Sequence, residues 1–275
     1  MRALRHSRLS VQAVLGAALV GMLLLTVLIA QFWTPYGPLA IDLSSSLAPP
    51  SWQHWFGTDE FGRDVLSRAM AGARIGVGIA LATVICAVSV GALLGMLAGF
   101  MRGWTDRLLM TINDALLAFP GMLLALGFMA VFAGGERAIV LALSVAYLPS
   151  VVRVVRAVVL SIREQEYVEA SGVMGNSDFY SMWRHVVPNA LPQIAVLATN
   201  LFGWVVLSES ALSFLGVGIP APAPSWGNML ASARPYLGSA SWLTVAPGAC
   251  VMATLLGVNW LSDALVEGLR PGSRP

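Results

Sequence analysis

Residues 75–101 read IGVGIALATVICAVSVGALLGMLAGFM, an apolar run that contains no Asp, Glu, Lys or Arg. Arg74 and Arg102 bound this run on either side. A helix rises about 1.5 Å per residue, so about 20 apolar residues are enough to cross the hydrocarbon core of a bilayer. The run exceeds that length and therefore predicts a membrane-spanning helix.

Similar runs on both sides of this one predict a chain that crosses the membrane six times. The predicted spans are residues 11–32, 75–101, 116–134, 138–159, 186–208 and 242–262. The fourth contains Arg153 and Arg156, whose long side chains can extend from a span to the membrane interface. We therefore predict an all-α integral membrane protein with six transmembrane helices.

The composition supports this class and excludes several functions. The chain is 57% hydrophobic and 11% charged, with a mean hydropathy of +0.76, whereas soluble domains carry about 45–50% apolar and about 25% charged residues. All 16 basic residues are Arg, and without Lys the chain can form neither a phosphate-binding P-loop nor a Schiff base. The net charge of +2 is small and scattered, which argues against nucleic acid as a partner.

The sequence offers no candidate catalytic residue and no candidate metal site. Cys86 and Cys250 lie inside apolar runs, and His6, His54 and His185 are far apart. No paired carboxylates, no Gly-x-Ser-x-Gly and no His-Glu-x-x-His motif occur, so neither a nucleophile nor a catalytic metal centre can be assembled. We therefore predict a chain that is not an enzyme.

The distribution of arginine predicts the orientation in the membrane. If the N-terminus is cytoplasmic, the inner set is Arg2, Arg5, Arg8, Arg102, Arg107, Arg153, Arg156, Arg163, Arg184, Arg270 and Arg274, and the outer set is Arg63, Arg68, Arg74, Arg137 and Arg234. The inner set is more than twice as large as the outer set, and basic residues favour the cytoplasmic side. Both termini are therefore expected in the cytoplasm, with the first span as an uncleaved anchor.

Two long segments are predicted outside the membrane. In the first, residues 33–74, Thr58 or Asp59 would cap a short amphipathic helix that carries Phe61, Val65 and Ala69 on one face. The second, residues 209–241, is apolar but interrupted by Gly and Pro. It is predicted to be a re-entrant or gate-forming segment, with a plain surface loop as the alternative. Its candidate residues are Glu209, Phe214, Gly216, Gly218 and Trp226.

Glycine recurs at every fourth residue in the second span, at Gly91, Gly95, Gly99 and Gly103. Residues four apart lie on one side of a helix, and glycines there allow another helix to approach closely. The stripe predicts a close helix contact, either within the chain or with another subunit.

The longest cytoplasmic loop, residues 161–185, is predicted to contain two short helices. Gly175 is suited to end the first in a left-handed conformation, and Ser177 is suited to cap the second. The second helix would have Asp178 in its first turn and Arg184 in its last, which suits the helix dipole. Its apolar face is predicted to comprise Phe179, Met182, Trp183 and Val186. An amphipathic loop of this kind predicts a surface for a partner, in preference to a solvated connector.

Several motifs resemble a known family. Glu169-Ala170-Ser171, the following Gly175 and Val186-Val187-Pro188 resemble the EAA motif of ABC-importer permeases, although Ser171 replaces an Ala and Val187 replaces a Leu. The stretches FGTDEFGRDVLSR at 56–68, LSFLGVG at 212–218 and PSWG at 224–227 resemble the dipeptide/oligopeptide/nickel-type permeases. Together the matches extend over residues 35–265.

The resemblance implies a type I ABC-importer permease fold with a cytoplasmic coupling helix. It implies four kinds of partner: a second permease subunit, identical or homologous, two cytoplasmic ATPase subunits, an extracytoplasmic solute-binding protein and membrane lipid. ATP and Mg would be bound by the ATPase subunits, and no cofactor by this chain. The coupling residues would be Glu169, Ala170, Ser171, Gly175, Asp178, Arg184 and Pro188. The implied cargo is short peptides, or alternatively nickel, a metal chelate or opines.

These expectations give a layout and a location. Residues 1–32 would form a cytoplasmic tail and the first span, 33–74 an extracytoplasmic loop, 75–265 the five-helix transmembrane domain and 266–275 a cytoplasmic tail. The location would be the bacterial cytoplasmic (inner) membrane. A remote alternative, an ion-coupled secondary transporter, requires acids near the middle of the bilayer. Of all the acids, only Asp114 and Glu209 approach an apolar run.

Overall fold

The fold is nearly all helical, as a computed structural model of residues 11–132 and 134–269 shows. The helices are α1 (Val11–Phe32), α2 (Val65–Met101), α3 (Gly103–Leu117), α4 (Gly121–Val131), α5 (Glu136–Arg163), α6 (Glu166–Val173), α7 (Asp178–Ser181), α8 (Val187–Phe214), α9 (Trp226–Ala233) and α10 (Trp242–Leu269). An isolated bridge between Thr58 and Asp64 is the only β-type pairing in these ranges. The expected Arg2, Arg5, Arg8, Arg270 and Arg274 lie outside the described residues.

Five helices in the described ranges are long and apolar enough to cross a membrane, and a bent pair of helices brings the number to six. The five are Val11–Phe32, Val65–Met101, Glu136–Arg163, Asp178–Phe214 and Trp242–Gly268. The first coincides with the prediction, and the others extend beyond the predicted runs at one or both ends. The predicted all-α membrane class is confirmed.

The third predicted span, residues 116–134, is wrong as a continuous helix. The chain forms α3 and α4 there, with an angle of 89° between them. Pro120 stands at the break, where its ring excludes a helical hydrogen bond and disfavours the helical conformation of Phe119. Apolar composition alone identified the region, but the proline divides it.

The short amphipathic helix predicted from Thr58 or Asp59 is also absent. Residues 58–64 form turns, and the helix begins only at Val65. Asp64 caps it, since one oxygen of its carboxylate accepts from the Ser67 N–H at 2.8 Å. Gly62 has a φ of +70°, and such a conformation interrupts a helix at this position.

The described chain divides into two compact units. One comprises the residues up to Ala80 and those from Phe202 onward. In this unit α1 packs along α10 at two glycines that the sequence interpretation did not single out. A side-chain carbon on Gly16 would lie 2.9 Å from the Leu261 nitrogen, and one on Gly257 would lie 2.8 Å from the Leu19 Cβ. Close approach of the two backbones therefore depends on both glycines.

The second unit, Leu81–Leu201, contains the glycine stripe of α2. Side-chain carbons on Gly91, Gly95 and Gly99 would approach Val151, Val155 and Val159 of α5 to 3.0 Å or less. These three valines are completely buried. The partner helix, left open by the sequence, is α5 of the same chain. Gly103 does not belong to the stripe, because it lies beyond the end of α2 with a φ of +66° and has no neighbour within 4 Å of an added carbon.

Candidate functional site

The loop between α5 and α8 folds as a helix, a tight turn and a second helix. α6 ends near Gly175, which adopts a φ of +84°. Ser177 then caps α7, and its side chain accepts a hydrogen bond from the Tyr180 N–H. Both local features agree with the sequence interpretation. The turn between the helices is therefore fixed by a left-handed glycine and by a serine cap.

The second helix does not end where it was predicted to end. α7 continues through a single π-helical turn, Met182–Val186, and directly into α8. Arg184 and His185 therefore lie within a continuous helix, and Pro188 belongs to the first turn of α8 and does not close a loop. A proline clashes with the carbonyl four residues before it, and a wider turn at that point relieves the clash.

Most of the predicted coupling residues are exposed. The exposed members are Glu169, Ala170, Gly175, Asp178, Arg184 and Pro188. Apolar side chains surround them: Val173 is 89% exposed, Phe179 73% and Trp183 56%. The apolar face predicted for the second helix is therefore divided, because Val186 is buried while Phe179 and Trp183 face outward and contact each other. Exposed aromatic groups of this kind are characteristic of a contact surface.

Ser171 is the buried exception, and it connects the two helices of the loop. Its hydroxyl lies 3.0 Å from the hydroxyl of Ser181 and accepts from the Asn176 amide at 3.2 Å. The Asn176 N–H also donates to the Ser171 carbonyl at 3.2 Å. Ser171, one of the two departures from the usual EAA pattern, therefore contributes hydrogen bonds that an alanine cannot form.

Arginines attach the start of this loop to the end of α2. Arg163 donates to the carbonyl of Phe100, and its guanidinium lies 5.1 Å above the Phe100 ring. Arg102 pairs with Glu164 at 3.2 Å. A cavity of about 480 Å³ opens between these groups and Glu169, so positively and negatively charged side chains both line it.

Two further arginines of α5 hold α3. Arg156 binds both carboxylate oxygens of Asp106, at 2.5 and 2.6 Å, and Arg153 lies 2.6 Å from Asp114. The sequence interpretation expected these arginines to extend to the membrane interface and did not predict either pair. Asp114, which lies inside α3, is accordingly an ion-pair partner of Arg153. Each pair joins opposite charges at a similar depth in the membrane region, and this was the only signal that could have predicted it. The signal is weak because the paired residues are far apart in sequence.

The candidate residues of the segment 209–241 lie near Glu209. This carboxylate is almost completely buried and accepts from the Ser213 hydroxyl at 2.8 Å. The Ser213 oxygen in turn accepts from the Ile219 N–H at 3.1 Å. Side-chain carbons on Gly218 and on Gly227 would overlap Ser213 and the Ser210 carbonyl, respectively. The segment after α8 is therefore folded closely back onto the end of that helix.

Trp226 and Phe214 complete this arrangement. Trp226 is buried, and its indole N–H donates to the Ala69 carbonyl at 3.0 Å. The guanidinium of Arg234 lies 3.7 Å above the Phe214 ring and donates to the Phe214 carbonyl at 2.9 Å. Gly216 has a φ of +82° at the turn that follows. All five candidate residues thus lie in one compact segment, and no His, Cys, Asp and Glu side chains in the described ranges form a group of three or more that could hold a metal ion.

Comparison with known proteins gives the family. Residues 91–271 match the family described as the binding-protein-dependent transport system inner membrane component. A transport-system permease protein of Brucella suis biovar 1 is 37% identical over 94% of this chain and 86% of the relative. The dipeptide transport system permease protein DppC of Alkalihalophilus pseudofirmus is 36% identical over 94% of this chain and 85% of its own length.

A solved structure gives the fold. An inward-facing structure of the MetNI methionine ABC transporter has a TM-score of 0.63 and 18% identity, and the match covers 73% of this chain and 95% of that chain. The predicted type I importer permease fold is confirmed. The chain belongs to the family of binding-protein-dependent transport system inner membrane components, and it is a multi-pass permease subunit.

Proposed function

We propose that this chain and a second permease subunit form the path by which short peptides enter the cell. In this proposal an extracytoplasmic binding protein delivers the peptide, and two cytoplasmic ATPases that bind ATP and Mg drive the transport. The chain itself binds no cofactor. In this scheme both termini lie in the cytoplasm, which the arginine asymmetry supports, and the loop from α6 to α7 faces the ATPases.

The exposed surface of α6 and α7 is the observation that carries the coupling role. Val173, Met174, Phe179 and Trp183 are all more than half exposed, although apolar groups of this size are usually buried. The surface is amphipathic, because Glu169 and Asp178 are exposed beside them. Glu169, Ala170, Ser171, Gly175, Asp178, Arg184 and Pro188 are the proposed coupling residues.

The peptide cargo is proposed from the relatives. The Alkalihalophilus pseudofirmus relative is named a dipeptide transport permease, and its similarity extends over almost the whole chain. Nickel, a metal chelate or an opine is the alternative. An uptake assay with a labelled dipeptide and with ⁶³Ni²⁺, in cells with and without the gene for this chain, separates these cargoes. Gene-dependent nickel uptake without dipeptide uptake would overturn the peptide assignment.

The segment that follows Glu209 is proposed to act as an external gate. Its support is the hydrogen-bonded connection from Glu209 through Ser213 to the Ile219 backbone. Such a connection holds the segment in one arrangement on the end of α8, and a second arrangement would require these bonds to exchange. Phe214, Gly216, Gly218 and Trp226 belong to the same proposed gate.

Glu169→Arg tests the coupling role in the complete transporter. The substitution reverses the charge of an exposed side chain, so we expect normal amounts of the chain in the membrane but loss of binding-protein-dependent dipeptide uptake. Glu267→Arg is the matched control, since Glu267 is exposed at the end of α10, and it should leave uptake unchanged. Uptake by the Glu169→Arg transporter at the rate of the unsubstituted transporter would refute the coupling assignment.

A further inference from the structure

An exposed group of aromatic residues lies in the segment between α1 and α2. Trp52 is 97% exposed, Trp55 66% and Trp33 61%, and Tyr36 and Phe56 are also exposed. We refer to these five residues as the aromatic patch. Neither the coupling loop nor the proposed gate includes any of them.

Hydrogen bonds within the turn at residues 51–57 hold the backbone of the patch in place. The Ser51 N–H donates to the His54 carbonyl at 2.8 Å, the Gly57 N–H donates to the same carbonyl at 2.9 Å, and the His54 N–H donates to the Ser51 hydroxyl at 3.1 Å. The His54 ring lies 2.9 Å from a carboxylate oxygen of Asp64, immediately before α2. A rigid turn loses little conformational entropy when its side chains bind a surface.

The patch is also joined to the end of α1. Tyr36 donates from its hydroxyl to the Gln53 carbonyl at 2.9 Å, and its ring contacts the His54 ring, with 4.6 Å between the ring centres and an angle of 33° between the planes. Trp33 continues the last turn of α1, because its N–H donates to the Ile29 carbonyl at 2.8 Å. α1 presents exposed leucines along its length and Phe32 at its end. The patch is therefore continuous with the outward-facing apolar surface of a spanning helix.

The chemistry of the patch matches the interface between lipid headgroups and hydrocarbon. Residues 33–41 and 43–58 contain no Asp, Glu, Lys or Arg, and Asp42 is the one such residue between them. Trp and Tyr concentrate at membrane interfaces, where the ring is partly buried and the N–H or O–H is hydrated. A surface of indole rings without formal charge suits that environment.

We propose that the aromatic patch docks on the lipid headgroup region, with Trp52 and Trp55 inserted into the interface. The patch then fixes the depth at which α1 ends, because Tyr36 and Trp33 connect the inserted turn to that helix. It also fixes the start of α2, since the Tyr36 N–H donates to the Ser67 hydroxyl at 3.0 Å. The inserted turn is a lipid anchor that belongs to the chain's own external segment.

Fluorescence quenching in liposomes tests the anchor in the complete transporter. Cys86 and Cys250 are free and would be replaced by Ser, and a bimane label would be placed at Trp52→Cys or, as the matched control, at Ser46→Cys. Ser46 is exposed in the same external segment. We expect several-fold stronger quenching of the label at position 52 by interface-depth doxyl lipids, and stronger quenching of the label at position 46 by aqueous iodide.

Two results would overturn the anchor. One is equal iodide quenching at both positions. The other is a label at position 52 that is shielded only after the binding protein is added, since this would identify a protein surface. A second measurement keeps the native cysteines: doxyl lipids should quench the intrinsic fluorescence of the unsubstituted transporter more than that of the Trp52→Ser/Trp55→Ser variant. Equal quenching of the two would also exclude the anchor.

Discussion

Replacement of Gly95 by Ala tests whether the close packing of α2 against α5 requires the glycine stripe. The added carbon would lie 2.8 Å from both the Val152 carbonyl oxygen and the Val155 Cβ, whereas ordinary contact begins at 3.4 Å. The helices must therefore separate by about 0.6 Å at this point, and both neighbours belong to rigid parts of α5. Overpacking of a well-packed contact costs about 1–3 kcal/mol.

Gly78→Ala is the matched control, because Gly78 lies in the same helix and has no atom within 4 Å of an added carbon. Both substitutions gain about 1 kcal/mol of helix propensity, so this gain cancels between the two variants. We therefore expect Gly95→Ala to unfold more easily than Gly78→Ala by about 1–3 kcal/mol. Gly95→Leu should be more severe and should reduce assembly of the transporter.

The difference can be measured from the free energy of unfolding of the purified transporter during titration with sodium dodecyl sulfate. Yield and size-exclusion profile give the corresponding measure for Gly95→Leu. If the two alanine variants unfolded at the same detergent fraction, the glycine stripe would not be a packing requirement. Normal yield and size for Gly95→Leu would lead to the same conclusion.

Two further predictions concern polar contacts. Arg156→Asp or Asp106→Arg alone should destabilise the chain by between about 1 and 3 kcal/mol. The double variant, which carries both substitutions, should recover most of this loss. A double variant that is no more stable than the single variants in thermal unfolding would contradict a direct ion pair. Ser213→Ala removes a hydroxyl that donates to Glu209 and should cost about 1–3 kcal/mol, because the buried carboxylate loses one of its hydrogen-bond donors. The exposed Ser239→Ala is its control, and equal unfolding midpoints for the two serine variants would show that the Ser213 hydrogen bond contributes nothing.

The spans were predictable because each depends on local composition. The first span agrees in its bounds, and the region of every other span was identified. Breaks and caps were predictable where one residue type determines them, as at Gly175 and Ser177. The third span was not, because the apolar pattern continues through Pro120 although the helix does not. Hydropathy identifies what can enter a membrane, while backbone chemistry decides where a helix ends.

Contacts between residues that are distant in sequence could not be predicted in this way. Arg156 and Asp106 are separated by 50 positions, and a sequence pattern gives no reason to pair them instead of other opposite charges. The partner of Gly95 was undetermined for the same reason, since a stripe of glycines specifies closeness but not identity. Ser171 is a different case. It stands where the family usually has alanine, and its hydrogen bond could not be predicted because the bond depends on Ser181 in the folded loop.

The continuity of α7 with α8 has a consequence for the proposed coupling. A loop joined to its span by flexible residues could move without moving the span, but here a π-helical turn, Met182–Val186, connects α7 to α8 without a break. At its other end the loop follows α5 after only Glu164 and Gln165, and Arg163 and Arg102 attach that end to α2. In the proposed coupling, a force on the exposed surface of α6 and α7 would therefore act on α5 and α8 together. The left-handed Gly175 and the Ser171 hydrogen bonds fix the turn between α6 and α7 in this structure, which supports the proposal that the loop would pass such a force on as one body.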